Sequence, residues 1–315
     1  MTAPSKTQQT TSHILMIRPA QFGFNEETAG NNAFQINDGT LTPAQVRRKA
    51  VAEFDHFVQL LRAAGVHVTV VQDTDYPLKT DAVFPNNWVS FHADGTVITY
   101  PMYSAVRRLE RREEILNNLT QQFQIANRVQ LEAHENREKF LEGTGSMILD
   151  RPNRIAYACI SPRTDEGLLE EFCKLVGFES VVFMAVDGGK PIYHTNVMMA
   201  LGETFVVICL ETIQNQTERD WLLQKFAETQ KEVIEISLAQ MMAFAGNMLQ
   251  VKNRNDEPIL VMSEQAYKSL NSNQLRLLNR HTNLLYAPLY TIERYGGGSA
   301  RCMMAEIFLP EKRVG

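Results

Sequence analysis

Trp88-Val89-Ser90-Phe91-His92-Ala93-Asp94-Gly95-Thr96-Val97-Ile98-Thr99-Tyr100 is the stretch from which the fold can be read. Apolar and β-branched residues run from Trp88 to His92, break at Ala93-Asp94-Gly95 and resume from Val97 to Tyr100, the pattern of two short strands joined tightly. An amphipathic helix over Val106 to Phe123 and a strand over Arg128 to Glu132 follow. The order strand, turn, strand, helix, strand then recurs. It runs again from Gly145 to Leu149, Ile155 to Ile160, Glu166 to Val176 and Ser180 to Met184. A third copy takes Thr195 to Leu201, Phe205 to Leu210, Thr217 to Thr229 and Glu232 to Ile236. In a fourth, Met248 to Asn253 and Ile259 to Met262 precede a short helix from Ser263 and a strand over Asn283 to Tyr286.

A fifth copy is split across the chain ends. Arg301 to Leu309 supplies its opening strand, His13 to Arg18 the second, Pro43 to Ala64 the helix and Val66 to Gln72 the last strand. A unit that cannot cover its own faces is stable only when stacked on neighbours, and joining first to last removes the exposed ends. The pattern therefore predicts an α/β fold of five such units, a five-bladed α/β propeller forming a single domain over 13–315. Met1 to Ser12, rich in Thr, Gln and Ser, reads as a disordered polar tail without the hydrophobic segment of a signal peptide.

Composition sets limits on what such a domain does. With 31 Lys+Arg against 36 Asp+Glu the chain carries a formal charge of -5, the wrong sign for binding nucleic acid through its phosphates. The basic cluster Arg107-Arg108-Leu109-Glu110-Arg111-Arg112, followed by Glu113 and Glu114, reads as a solvated helix face. No apolar run approaches the ~18 residues of a membrane span. Four irregularly spaced cysteines make neither a disulfide framework nor a zinc site, which points to a reducing cytoplasm with thiols free for chemistry.

Pseudo-fivefold repetition carries equivalent positions to one axial mouth. The polar residues heading the opening strands are Asn87, Glu142, His194, Asn247 and Cys302, at separations of 55, 52, 53 and 55 residues. Cys302 follows Gly296-Gly297-Gly298, where backbone can approach closely, and reads as a nucleophile; Cys159, Cys173 and Cys209 lie inside elements and read as structural. His194, in Tyr193-His194-Thr195-Asn196, is the acid/base partner, because imidazole changes charge near neutral pH. Glu142 sits between the apolar Phe140-Leu141 and Gly143, and its carboxylate needs a donor that His194 or a substrate nitrogen supplies. Asn247 reads as shaping the mouth. The stretch Ala20 to Leu41 is too long for a connector and reads as a lid, with Phe22, Asn31 and Asn32 able to touch substrate.

Leu141-Glu142-Gly143, His194-Thr195-Asn196 and a Cys302 preceded by glycines resemble the guanidino-group-modifying (pentein) superfamily of arginine deiminases, dimethylarginine hydrolases and amidinotransferases. The resemblance extends over about residues 13 to 310. Arg18-Pro19, Phe22, Asn31-Asn32-Ala33-Phe34-Gln35, Phe84-Pro85-Asn86-Asn87-Trp88 and Leu141 to Ser146 are most similar to its arginine-deiminase-related, citrulline-utilisation hydrolases. It implies a covalent mechanism: Cys302 attacks the carbon bonded to three heteroatoms, His194 serves as acid and then base, and Glu142 holds His194 or a substrate nitrogen. It implies no metal and no organic cofactor.

The chain departs from deiminases where Asn87 and Asn196 replace acids. An amide both donates and accepts, which suits a neutral ureido group better than a guanidinium. The reading from sequence is therefore hydrolysis of citrulline or a similar ureido compound, with a guanidino substrate as the alternative and a non-catalytic binding protein as the alternative of another class. Asn87, Asn196, Asn247, Phe22, Asn32 and Arg301 are the expected substrate-binding residues. Arg18, Arg107, Arg294 and Arg301 are the candidate partners of a substrate α-carboxylate, and spacing does not choose among them. The partner expected is a small molecule, with neither nucleic acid nor membrane, and a homodimer stays open.

Overall fold

A computed structural model describes residues 8–312 of the chain. It has five three-stranded sheets of one design, in a mixed α/β fold. The chain ends meet in one of them: Ala305–Glu306 runs antiparallel to His13–Arg18, which runs parallel to His67–Gln72. The other four keep the same order, an antiparallel and then a parallel pair. They are Val89–Phe91, Thr96–Thr99 and Asn127–Gln130; Ile148–Asp150, Ile155–Cys159 and Glu179–Phe183; Met199–Leu201, Phe205–Ile208 and Glu232–Glu235; and Leu249–Lys252, Pro258–Ser263 and Asn283–Ala287. A parallel pair needs a crossover, and each middle strand reaches its third strand through helix.

The middle strands are continuous apolar runs because both of their faces are covered: Ile14 to Ile17 and Phe205 to Ile208 are buried throughout. The helix Pro43–Ala63 shows why this segment is helical. Thr42 and Gln45 form a capping box, proline occupies the first turn, and Val46, Ala50, Phe54, Phe57, Val58 and Leu61 make one apolar stripe. Each of these residues other than Ala50 contributes about 1.5–3 kcal/mol by leaving water. Apolar clusters tie neighbouring sheets together. Leu15 and Ile17 share one with Val89, Phe91 and Val97; Ile98 shares another with Leu149, Ala156 and Ala158. Tyr157, Met199, Val207, Leu260 and Met262 belong to a third, and Val251 and Val261 join Ile14 and Met16 in a fourth.

Three expectations need correction. The strands expected from Gly145 and Thr195 begin later, after single helical turns at Gly143–Ser146 and Thr195–Met198. Hydroxyls capture backbone groups there: Ser146 Oγ accepts from Glu142 N and donates to the Arg163 carbonyl, and Thr195 Oγ1 donates to the Ser146 carbonyl at 2.6 Å. The single helix expected over Val106 to Phe123 is two short ones, Ala105–Arg108 and Glu113–Leu119. Arg107 and Glu110 are buried at the break as an ion pair, so this basic cluster is not a solvated face.

The third correction concerns the tail. Residues 1–7 lie outside those described, but Gln9, Thr10 and Thr11 are buried rather than disordered. Gln9 donates to the Leu149 carbonyl at 2.8 Å and accepts from Arg151 N at 2.9 Å, while Thr11 Oγ1 donates to the Ile307 carbonyl. A Gln9→Ala variant strands a buried carbonyl and a buried N–H, so it is expected to lose about 1–3 kcal/mol of stability. Thermal denaturation checks this as a melting temperature lower by several degrees. No helix among the described residues is long and apolar enough to cross a membrane.

Candidate active site

One cavity is lined by Cys302, His194, Asn87, Asp81, Arg107 and Arg163, together with the backbone of Gly296 to Gly298. Cys302 lies in a turn in which its N–H donates to the Ser299 carbonyl at 3.0 Å. The Nδ2 groups of Asn196 and Asn247 both point at Cys302 Sγ from 3.3 Å, so two amide donors face any negative charge formed on sulfur. Asn247 is anchored in turn, donating to the Asn196 carbonyl and accepting from Arg301 N.

Glu142 is fully buried and accepts from Tyr103 N at 2.9 Å and from His194 Nε2 at 2.8 Å. The acceptor fixes the proton on Nε2 and leaves Nδ1 as the free lone pair. That edge of the ring lies over Gly145, where a Cβ would come 2.8 Å from Nδ1 and 2.3 Å from Asn87 Nδ2, so only glycine fits. Burial works to raise Glu142, but Arg163, the His194 hydrogen bond and Arg107 outweigh it and hold the carboxyl at about 2. Burial pushes His194 down to about 4 against the pull of Glu142, so the resting imidazole is neutral.

Around this pair lies a network of buried charge. Arg107 pairs bidentately with Glu110, donates to Asn87 Oδ1 at 2.9 Å and lies 3.8 Å from both Asp81 and Glu142. Burial opposes its charge, yet Glu110 and Asp81 hold the guanidinium above its usual range. Burial raises Glu110 to about 7 despite Arg107. Asp81 Oδ2 accepts from Asn25 at 2.7 Å, and burial raises this carboxyl against Arg107. Arg163 donates to Asn31 Oδ1, lies 3.7 Å from Glu142, and stacks its guanidinium 4.8 Å from the Tyr193 ring centre. Three buried polar atoms of these residues have no partner: Asp81 Oδ1, Asn87 Nδ2 and Asn196 Oδ1. Such groups are costly unless a ligand or water satisfies them.

Cys302, His194, Glu142, Asn87, Asn196 and Asn247 are thus brought together as expected, and Asn32 lines the same cavity. Two expected residues are elsewhere. Phe22 packs behind Gly296 with Phe84 in the apolar core, where its ring is buried from water. The Arg301 guanidinium is committed to Glu306 at 2.8 Å and to the Met304 carbonyl, and it lines a different cavity with Gln9 and Leu149. Only its backbone N–H serves the site. Of the other arginines proposed for a carboxylate, Arg18 pairs with Asp55 and Arg294 with Asp38.

Asp81, Glu110 and Arg163 were missed by sequence reading. Arg163 carries the best available signal, since it stands in the short turn after the middle strand Ile155–Cys159, at the end where Thr195 and Tyr193 approach. The other three thiols are buried, and desolvation raises Cys159 to about 11, Cys173 to about 12 and Cys209 to about 11.

A profile for the family "N,N dimethylarginine dimethylhydrolase, eukaryotic" matches residues 18–309. The chain belongs to this family. It is a hydrolase of non-peptide C–N bonds in the guanidino-group-modifying superfamily. Solved structures agree in fold. The N-terminal domain of ArgZ with bound substrate, an arginine dihydrolase of the ornithine-ammonia cycle in cyanobacteria, is 16% identical, with 95% of this chain and 98% of that one covered at a TM-score of 0.73. Unliganded AgrE is 18% identical over 96% of this chain and 40% of that one, also at 0.73. A dimethylarginine dimethylaminohydrolase adduct with S-methyl-L-thiocitrulline is 15% identical over 95% and 100%, at 0.64. No curated protein sequence matches the chain.

Proposed function

We propose that this protein hydrolyses the guanidino carbon of arginine or a methylated arginine, through a covalent intermediate on Cys302. The observation that carries this reading is Asp81 Oδ1, a buried carboxylate oxygen without a partner in the cavity that holds Cys302 and His194. A guanidinium offers N–H donors and a positive charge, which Asp81 Oδ1 and Asn196 Oδ1 would satisfy together. The ureido reading rested on the neutrality of Asn87 and Asn196, and the acidic Asp81 removes its main premise. The relatives also act on guanidino compounds by their names. Arg163, which donates to a neutral amide, is the cation suited to the substrate α-carboxylate. We further read the five sheets as blades of one α/β propeller over 13–312. The cyclic run of apolar clusters supports this. Four free cysteines suit a reducing cytoplasm.

In this mechanism neutral His194 takes the Cys302 proton and the sulfur attacks the guanidino carbon. The C–N bond to the departing nitrogen breaks as His194 returns the proton, giving free amine and an S-linked thiouronium. His194 then deprotonates water, which adds to that carbon and expels the thiolate, leaving a ureido product. Asn87 Nδ2, the unpartnered donor, suits the new oxygen. Incubating the protein with arginine, asymmetric dimethylarginine and citrulline separately tests the reading. Citrulline formed from either guanidino compound is the expected result, and turnover of citrulline alone would overturn it.

A further inference from the structure

Glu293 is buried, yet it does not line the cavity that holds Cys302. It lies in the short helix Tyr290–Gly296, whose end leads into the glycine loop before the thiol. Its backbone carbonyl accepts from Gly297 N at 2.9 Å, and Gly297, at φ +63, makes the left-handed turn that ends the helix. Its side-chain Oε1 accepts from Ser299 Oγ at 2.6 Å. Ser299 is fully buried, and its own carbonyl accepts from Cys302 N. Two hydrogen bonds in series therefore join the Glu293 carboxyl to the nucleophile's backbone. The second carboxyl oxygen, Oε2, is buried without a partner.

We propose that Glu293 is a positioning residue for the nucleophile, holding the Cys302 turn through Ser299. The inference rests on the reading of Cys302 as nucleophile. The groups facing Glu293 give its ionised form no counter-charge. From the helix Pro43–Ala63 comes the Glu53 carboxylate, which caps Thr291 N and Ile292 N and repels a second negative charge; from the strand Pro258–Ser263 comes the Ser263 hydroxyl, and from the loop that of Ser299. Of the cations on these elements, Lys49 acts on Glu53 and Arg294 pairs with Asp38 on the surface. Burial first, then Glu53, raises Glu293 to about 7, against the Ser299 hydrogen bond and the nearby Ser263 hydroxyl. A carboxyl raised in this way stabilises the fold fully below its unfolded value, and that contribution is lost as the pH rises through about 7.

The test uses the full chain with Glu293→Gln, Glu293→Ala and Ser299→Ala. The rate of iodoacetamide alkylation at Cys302, located by peptide mass spectrometry, is measured beside kcat and KM for arginine from about pH 6 to pH 8.5. Glutamine keeps the acceptor and cannot ionise. Glu293→Gln should therefore keep its alkylation rate and kcat close to those of the parent across this range, the conservative variant rescuing what Glu293→Ala loses. Ser299→Ala should lower kcat about tenfold with little change in KM, because a misplaced nucleophile slows chemistry more than binding. Glu293→Ala should do the same. If Glu293→Ala fails to fold, the other two variants decide. Parent-like rates in Ser299→Ala, or a loss in Glu293→Gln as large as that expected of Ser299→Ala, would overturn the proposal. A protein that turns over none of the three substrates would sink the functional reading, while the alkylation rates would still decide the role of Glu293.

Discussion

Cys302→Ala is expected to lower kcat by at least ~10⁴-fold, because the substitution removes the thiol proposed to form and release the covalent bond to carbon. The fold should survive. Cys302 packs among Ala300, Met303 and Met304, and alanine leaves only the volume of one sulfur atom. Asn247 Nδ2 keeps its bond to the Asn196 carbonyl, so Asn196 Nδ2 alone is left without an acceptor, at a cost of about 1–3 kcal/mol. Cys159→Ala, Cys173→Ala and Cys209→Ala serve as comparisons, since those thiols are held protonated by burial and none lines the cavity. Steady-state kinetics with calorimetry checks both halves. Turnover within tenfold of the parent in a folded Cys302→Ala protein would remove the sulfur from the chemistry.

The repeat was legible because a strand buried on both faces must be apolar along its length, and Ile155 to Cys159 and Phe205 to Leu210 are. Equal spacing then placed Asn87, Glu142, His194, Asn247 and Cys302 together before any contact was known. Turns were less legible. Gly143 to Ser146 and Thr195 to Met198 look like strand starts by composition, and only the hydroxyl bonds of Ser146 and Thr195 bend them into helical turns. Charge misled most. Arg107 and Glu110 sit in a run of charges that looks solvated, and nothing in the run marks which residues turn inward to meet Asp81 and Asn87. Asp81 precedes the apolar Ala82-Val83-Phe84 as countless surface acids do. Its placement is a tertiary fact, set by Asn25 and Arg107 from segments remote in sequence. The ureido reading weighed Asn87 and Asn196 alone and left Asp81 out.

Asp81→Asn isolates that charge. If Asp81 Oδ1 receives the guanidinium, the variant presents a cation to a neutral amide in a desolvated cavity. Breaking a buried pair by removing one partner costs about 3–5 kcal/mol, which corresponds to a fall of roughly 10²–10⁴ in kcat/KM for arginine. Citrulline carries no charge, so any activity on it should be much less affected, and the arginine-to-citrulline ratio should fall by nearly the full factor. Arg107 keeps its bidentate bond to Glu110, so the network does not collapse with the loss of one acid. The pH dependence has a definite sign. Burial raises the empty-site Asp81 carboxyl, so its ionised form, and with it arginine binding, strengthens as pH rises through that raised value. The asparagine variant lacks that limb. Measuring kcat/KM for both substrates across pH decides the matter: an equal loss on arginine and citrulline, with the acid limb intact in the variant, would mean that the guanidinium does not rest on Asp81.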